Sequence, residues 1–315
     1  MREGNRIRTT TAFPMNRRKF IGQTALSVSV GALAKGAGVP AARAAASPAG
    51  KGSGERDLVD THTYLGRWPF RRMPGDETPQ LVRKLKENGV ASAWVGSFDA
   101  LLHRDIAAVN QRLAEECAAQ KEVRLIPFGA VNPTLPDWEE DLRRCHEVHR
   151  MPGVRLHPDF HGYTLDDPRF AKLVEGAARR GLVIQVAVGM DDTRIQPRLA
   201  MVKPADPAPL VELLPKHPAA KVVLLNYWRN FAGNPLLLSR LNHLGQVGFD
   251  IATLEVMAGI EQRLKQNADT RLVFGSYFPY YNFGSALGKL HESILSSAEL
   301  AAIRHGNAQA MLGRA

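Results

Sequence analysis

Short β-rich apolar runs alternate with stretches of helical spacing from residue 57 onward. Alternation at period two indicates strands, and apolar positions three or four apart indicate helices. The runs predict eight strands, over residues 58–64, 91–97, 123–131, 153–157, 182–188, 221–226, 246–252 and 271–276. The stretches between them predict helices that include 79–88, 104–119, 137–149, 167–180 and 255–267.

The order of these elements predicts one closed barrel of the α/β class. Eight strand–helix units in about 260 residues match a (β/α)8 TIM barrel in number and in length. An open, doubly wound sheet would usually have a glycine-rich phosphate-binding turn after its first strand, and the sequence has none there. We therefore expect a TIM barrel over residues 57–315.

Polar side chains collect at the carboxyl ends of the predicted strands, where TIM barrels carry their chemistry. In the first strand Asp60, His62 and Tyr64 are two residues apart, so they face one way. Later strands contribute Arg155, His157, Gln185, Asn226, Asp250 and Ser276. Histidine titrates near neutral pH and can act as a general acid or base without a metal. The candidate catalytic residues are therefore His62, Asp60, His157 and Arg155.

The formal net charge of +10 is concentrated at the front of the chain. Residues 1–44 hold eight of the 41 basic residues and one of the 31 acidic ones, which leaves 33 against 30 in the remainder. That remainder has no basic run interleaved with aromatic residues, so a nucleic-acid partner is not expected. The two cysteines show neither a disulfide framework nor zinc-ligand spacing.

The front of the chain has the three-part order of an export signal. Paired arginines in "NRRKFIG" (16–22) precede an uncharged stretch over 20–34, and Ala42-Arg43-Ala44 offers small residues to a peptidase. The order resembles a twin-arginine signal, and the apolar stretch is too short to span a membrane. We expect a signal over 1–46, a linker over 47–56 and a periplasmic or secreted protein with no membrane span; Met1 or Met15 is the start.

The sequence resembles the amidohydrolase superfamily, in the amidohydrolase-related (amidohydrolase 2) branch that includes decarboxylases and lactone or amide hydrolases. The resemblance covers about residues 57–312. It rests on "VDTHTYLG" in the first strand, "GVRLHP" at the fourth, "KVVLLN" at the sixth, "RLVFGSYFP" at the eighth and "RHGNAQAML" in the last helix. It implies a TIM barrel with a divalent metal, by default zinc, at its mouth.

Carried over position by position, the resemblance leaves one metal ligand of five. The family's first histidine is His62, whereas the other positions hold Tyr64, Ala187, Asn226 and Tyr277. A catalytic zinc needs about three protein ligands of the His, Asp or Glu type, so stoichiometric metal is not expected. A rebuilt site stays open as the alternative, with the ligands His62, His157, His161 and Asp159 or Asp250.

All six tyrosines fall at a predicted strand end or in the loop after it. Aromatic rings with hydroxyl groups can bind flat or sugar-like ligands, or they can pack the loops over a closed barrel top. The candidate binding residues are Tyr64, Trp68, Gln185, Asn226, Tyr227 and Tyr277. In the "WPFRR" loop, Arg71 or Arg72 could contact an anionic substrate, while Trp68 and Phe70 could latch the loop down.

Two functions follow as expectations. The first is an exported hydrolase that acts on a small carbonyl-containing compound, such as an amide, a lactone or a carboxylate. The second is a non-catalytic barrel in which tyrosines have replaced metal ligands to make an aromatic binding pocket. Both imply a small-molecule partner, and a homo-oligomer stays open. Fold alone does not separate them, because function belongs to the site.

Overall fold

The computed structural model describes residues 57–313, except the side chain at position 199. Eight strands form one sheet in sequence order, each parallel to the next. They are β1 (Leu58–Leu65), β2 (Val90–Ser97), β3 (Arg124–Ala130), β4 (Gly153–Leu156), β5 (Val183–Ala187), β6 (Lys221–Leu225), β7 (Val247–Asp250) and β8 (Leu272–Val273). The predicted TIM barrel is confirmed.

The helices lie between the strands, as expected. They are α1 (Thr78–Glu87), α2 (Ile106–Ala119), α3 (Trp138–Glu147), α4 (Pro158–His161), α5 (Pro168–Arg179), α6 (Leu210–Leu213), α7 (Tyr227–Phe231), α8 (Pro235–His243), α9 (Gly259–Gln266), α10 (Phe283–Glu292), α11 (Ser297–Ala301) and α12 (Asn307–Met311). A π-helical turn, Ala302–Gly306, joins the last two. Among the described residues no helix is long and apolar enough to cross a membrane.

Hydrogen bonds close the barrel between β1 and the chain that follows β8. The amide of Thr61 donates to the Phe274 carbonyl at 2.9 Å, and the Tyr277 amide donates to the His62 carbonyl at 2.8 Å. The eighth strand was predicted over 271–276 but ends at Val273. The chain after Val273 still follows β1, but through separate bonds instead of a continuous ladder. At Gly275 a Cβ would lie 3.0 Å from the His62 Cβ, so the glycine permits this close approach.

Alternate residues of β5 show how the barrel interior is layered. Val183 belongs to an apolar cluster that also contains Trp94 and Met311, the latter from α12. Gln185 lies one layer higher and is fully buried among polar groups. Ala187 belongs to a second apolar cluster, at the mouth of the barrel. The period-two alternation of the strand therefore places one polar layer between two apolar ones.

Candidate functional site at the barrel mouth

The polar layer of the barrel consists of five side chains with no exposed surface: Asp60, His62, Arg155, Gln185 and Asp250. They come from β1, β4, β5 and β7, so strands distant in sequence meet here. Burial without hydrogen bonds would cost several kcal/mol for each charged group. The bonds within the layer therefore decide what each residue can do.

Arg155 has its hydrogen-bond donors directed at the barrel itself. Its Nε donates to Gln185 Oε1 at 2.8 Å, and Nη1 donates to the Thr63 carbonyl at 2.5 Å. Nη2 donates to the carbonyls of Thr61 and Trp94, at 3.1 and 3.0 Å. These bonds connect β4 to β1, β2 and β5, so the geometry favours a structural role for Arg155 over the predicted catalytic one.

His62 pairs with an aspartate at the end of β7, the next strand but one around the closed barrel. Its Nδ1 lies 2.6 Å from Asp250 Oδ2, whose other oxygen accepts the Asn226 amide at 2.9 Å. Burial lowers the pKa of His62, so the ring is neutral near pH 7. Among the described residues, no hydrogen-bond partner reaches its Nε2 atom. A neutral histidine oriented by a carboxylate can act as a base through that nitrogen if a substrate can reach it.

Asp60 lies two residues before His62 but does not contact its ring. It accepts bonds from the Ser276 hydroxyl at 2.5 Å, the Ser276 amide at 3.0 Å and the His62 amide at 3.1 Å. Burial raises the pKa of Asp60 to about 7. Asp60 therefore holds the chain after β8 against β1, and Asp250 is the partner of the imidazole.

His157 faces Tyr64, which stands at one of the family's metal-ligand positions. Its Nε2 lies 3.0 Å from the Tyr64 hydroxyl, and burial lowers its pKa well below the usual range. Its predicted companion Arg155 does not bond to it among the described contacts. His161 is bonded instead to the Ala100 carbonyl at 2.8 Å, and burial raises the pKa of Asp159 to about 7.

Two tyrosines occupy positions where the resemblance places metal ligands, and both are fully buried. The Tyr64 ring is sandwiched between Phe98, with centroids 4.4 Å apart, and the Arg155 guanidinium, 4.6 Å from the ring centroid. Tyr277 stacks on the His62 ring at 4.4 Å, and its hydroxyl donates to the Met190 carbonyl at 2.6 Å. Tyr277 therefore covers one face of the only retained family histidine.

These tyrosines belong to a larger apolar group that we call the mouth cluster. Its buried members are Tyr64, Trp68, Met73, Phe98, Leu101, Ala187, Met190, Ala252, Tyr277 and Tyr280. Trp68 is 3% exposed and meets Phe98 and Tyr280 edge to face, at 5.3 and 5.0 Å. Of the two readings of the aromatic residues, the geometry favours rings that pack over a closed barrel top.

The remaining predicted binding residues also bond to, or pack against, other parts of the protein. Gln185 Nε2 donates to the Thr61 carbonyl at 2.7 Å, and Asn226 Nδ2 donates to the Gly189 carbonyl at 2.8 Å. Tyr227 lies outside the mouth cluster, in the core between strands and helices, with its ring 4.9 Å from Phe249. Its predicted role in the pocket is not supported by this placement.

The side chains at the family's metal positions do not fit a divalent ion. Tyr64 and Tyr277 are uncharged phenols because burial raises the pKa of both, and Ala187 has no donor atom. The amide nitrogen of Asn226 is bonded to backbone. Among residues 57–313 no group of three or more His, Cys, Asp or Glu side chains is arranged to hold a metal, which includes the rebuilt set.

Sequence reasoning missed two residues that close the mouth, Met190 and Asp191. Met190 accepts the Tyr277 hydroxyl, and the buried Asp191 accepts the Tyr280 hydroxyl. Both follow β5 at the carboxyl end of the barrel, a position that could have identified them. Their partners lie almost ninety residues away in sequence, so no local pattern indicated these contacts.

The fold is similar to that of several aromatic-acid decarboxylases. 2,6-Dihydroxybenzoate decarboxylase from Rhizobium matches with a TM-score of 0.64 and 14% identity, over 82% of this chain and 99% of that one. 5-Carboxyvanillate decarboxylase from Sphingomonas paucimobilis matches at 0.62 and 14%, over 82% and 99%. Dihydroxybenzoic acid decarboxylase from Polaromonas sp. JS666, solved with manganese and 2-nitroresorcinol, matches at 0.62 and 16%, over 82% and 97%.

Identities this low show a shared fold and do not transfer an activity. A comparison with curated protein sequences gives no match. A family model described as amidohydrolase matches residues 58–314, which is most of the chain and the whole of the barrel. The chain therefore belongs to the amidohydrolase family.

Proposed function

We propose that this protein is a ligand-binding member of the amidohydrolase family that has no metal centre and catalyses no hydrolysis. The observation that carries the proposal is the mouth cluster, which fills the space above His62 with side chains. Tyr64 and Tyr277 have no exposed surface, and each has a hydrogen-bonded hydroxyl and a ring stacked on a neighbour.

The free energy needed to displace the Tyr277 ring weighs against catalysis at His62. His62 Nε2 is buried and Tyr277 covers one face of the ring, so a substrate approaching from that face must displace Tyr277. Removing a buried aromatic side chain from a packed core costs on the order of 3–5 kcal/mol. Each 1.4 kcal/mol is a factor of ten, so an opening that cost as much would populate the open mouth in fewer than roughly 1% of molecules.

A metal-free hydrolase is the second candidate, and one observation favours it. His62 and Asp250 form a 2.6 Å pair whose free Nε2 has the arrangement of an oriented general base. The fold shared with decarboxylases also supports an enzyme, though not a hydrolase in particular. Under this candidate a substrate would displace Tyr277 and accept or donate a proton at Nε2.

One set of assays on the full chain distinguishes the two. The substrates are an aryl ester, an anilide, an aromatic lactone and 2,6-dihydroxybenzoate, each with and without added zinc or manganese. We expect no turnover above buffer, and no difference between wild type and His62→Gln. Turnover by the wild type that disappears in a folded His62→Gln variant would establish the enzyme and overturn the binding proposal.

The binding half of the proposal has its own measurement. A thermal-shift screen of small molecules against the full chain should find at least one chemical class that raises the melting temperature, because a ligand bound only by the folded state stabilises it. The Tyr277→Ala variant reports whether that ligand occupies the barrel interior.

We also propose that the protein is exported through the twin-arginine route; the predicted signal lies outside the described residues. A fusion of residues 15–50 to a folded reporter should reach the periplasm, and Arg17→Lys with Arg18→Lys should block its export. Lysine keeps the charge, so the block would report recognition of the arginine pair itself. Unchanged export by the double variant would remove the assignment and favour a general secretory signal.

A further inference from the structure

A cleft lies beside the mouth cluster, between the loop after β1, helix α1 and the loop after β8. Its volume is about 510 Å³, within the range of small-molecule sites. The lining residues that matter here are Arg71, Arg83, Lys84, Glu87, Phe278 and Tyr280. We call this space the basic cleft.

The charge of the basic cleft is unbalanced. Four cationic side chains line it, Arg71, Arg72, Arg83 and Lys84, against one acidic side chain, Glu87. Arg72 is paired with the neighbouring loop, because Asp76 accepts two bonds from it, at 2.8 and 2.9 Å. Arg71, Arg83 and Lys84 therefore remain against Glu87. Within residues 57–313, Arg83 and Lys84 have no ion-pair partner within 4.0 Å.

Helix α1 presents these charges in a regular row. Gln80, Arg83, Lys84 and Glu87 are spaced as i, i+3, i+4 and i+7, so they share one face of the helix, while Leu81 and its apolar neighbours face the core. The wall across from them is aromatic and fixed in place. A Cβ on Gly75 would lie 2.4 Å from the Phe278 ring, so this loop packs directly against that ring.

The floor of the basic cleft connects to the covered histidine. Arg71 lies 5.0 Å above the Tyr280 ring, which stacks on Tyr277 at 4.7 Å, which stacks on His62 at 4.4 Å. The Tyr280 hydroxyl is bonded to buried Asp191, so this ring is held rigid. Arg71 and Tyr277 cover the Tyr280 ring, which is 9% exposed, so the cleft offers ring edges and not open ring faces. Ring edges below a cationic rim match a ligand with a flat apolar body, packed edge to face, and an anionic group.

We propose that the basic cleft is the ligand site and that it binds a small anion with a flat aromatic body, with the anionic group between Arg83 and Lys84. This inference rests on the proposed binding function but uses a surface outside the barrel interior. The ligands of this class are planar rings with a carboxylate, sulfonate or phosphate group.

The test uses naphthalene-2-sulfonate as the probe, titrated calorimetrically into the full chain, with naphthalene-2-sulfonamide as its neutral counterpart. We expect the sulfonate to bind with one site per chain, at least tenfold tighter than the sulfonamide, and to weaken as sodium chloride is raised. The double variant Arg83→Gln, Lys84→Gln should lose at least tenfold in affinity, and Glu87→Gln should bind more tightly than the wild type.

A matched control removes the same charge elsewhere. Lys86→Gln with Lys172→Gln also loses two cations, but Lys86 bonds to Glu122 on another side of α1 and Lys172 lies on α5. This control should bind the sulfonate like the wild type. Equal affinity in all variants, or no binding by the wild type, would overturn the inference. Neither result changes the outcome of the turnover assays or of the thermal-shift screen, which test the proposed function.

Discussion

Tyr277 shows how one residue can both remove a ligand and close a site. The resemblance places a metal-binding aspartate at its position, where the tyrosine has a positive φ of 55° and lies flat against His62. An aspartate there would leave the histidine face open and supply negative charge. The phenol instead supplies a ring to the mouth cluster and a donor to the Met190 carbonyl.

Truncation of Tyr277 tests this packing. Tyr277→Ala removes the ring and should lower the free energy of unfolding by about 3–5 kcal/mol. Tyr277→Phe keeps the ring and loses only the bond to Met190, so it should cost about 1 kcal/mol. Urea denaturation of both variants measures the difference. An alanine variant as stable as the phenylalanine variant would mean that the mouth cluster contributes no packing energy.

The largely buried carboxyl group of Asp159 should make the stability of the protein depend on pH. Burial raises the pKa of Asp159 to about 7, so the folded protein binds a proton there between about pH 4 and 7 that the unfolded chain has released. This group therefore makes the protein less stable as the pH rises through that range. Buried histidines with lowered pKa, such as His157, act in the opposite direction up to about pH 6.5.

Comparison of Asp159→Asn with the wild type isolates the carboxyl from the histidines. The stability of the variant relative to wild type should increase by about 2 kcal/mol between pH 4 and 7, roughly half the unscreened value because the side chain keeps some exposure to solvent. Urea unfolding at several pH values measures it, with the exposed Asp166→Asn as control. A difference that stays constant with pH would show that Asp159 titrates normally.

At the scale of elements, β1 and β4 carry three of the four candidate catalytic residues, and two of these, Asp60 and Arg155, hold the barrel together. The Arg155 guanidinium bonds to carbonyls on both β1 and β2. Parallel strands in a barrel normally leave few backbone acceptors for a buried cation. The register shift in β1 between Asp60 and Thr63 coincides with the carbonyls of Thr61 and Thr63 that accept from Arg155.

Arg155→Met should therefore destabilise the barrel. It leaves backbone carbonyls without donors and removes the positive charge beside buried Asp60 and Asp250, for an expected loss of about 3–5 kcal/mol. Arg155→Lys should recover only part of this loss, because one ammonium group cannot reach all the acceptors. Thermal and urea unfolding measure both, against Arg124→Met at the exposed start of β3. A stable methionine variant would rule out the structural role.

At the scale of the whole molecule, the fold could be predicted and the state of the mouth could not. Strands such as β5 follow from short, nearly continuous apolar runs that are local in sequence. The end of β8 was misplaced because the chain after Val273 bonds to β1 at separate points instead of as a continuous ladder. The pairing of His62 with Asp250 and of Tyr280 with Asp191 depends on side chains 188 and 89 residues apart, which no local pattern encodes.

The protein places three of the family's metal positions in one cluster, so a metal site could be restored by substitution at these positions. Tyr64, Ala187 and Tyr277 all belong to the mouth cluster, as the alignment by resemblance requires. Replacing all three by ligands, as Tyr64→His, Ala187→His and Tyr277→Asp, would add two imidazoles and one carboxylate to His62. That set meets the count of three or four donors with some anionic charge that zinc requires.

We therefore expect the wild type to contain well under one equivalent of zinc or manganese by elemental analysis, and a chelator to leave its melting temperature unchanged. Tyr64→His alone should behave in the same way, because two imidazoles are too few ligands. The triple variant should bind measurable zinc and gain stability when zinc is added, since a metal bound only by the folded state shifts the unfolding equilibrium. Stoichiometric metal in the wild type would overturn the metal-free proposal, whereas a folded triple variant that binds none would show that the three positions do not converge on His62.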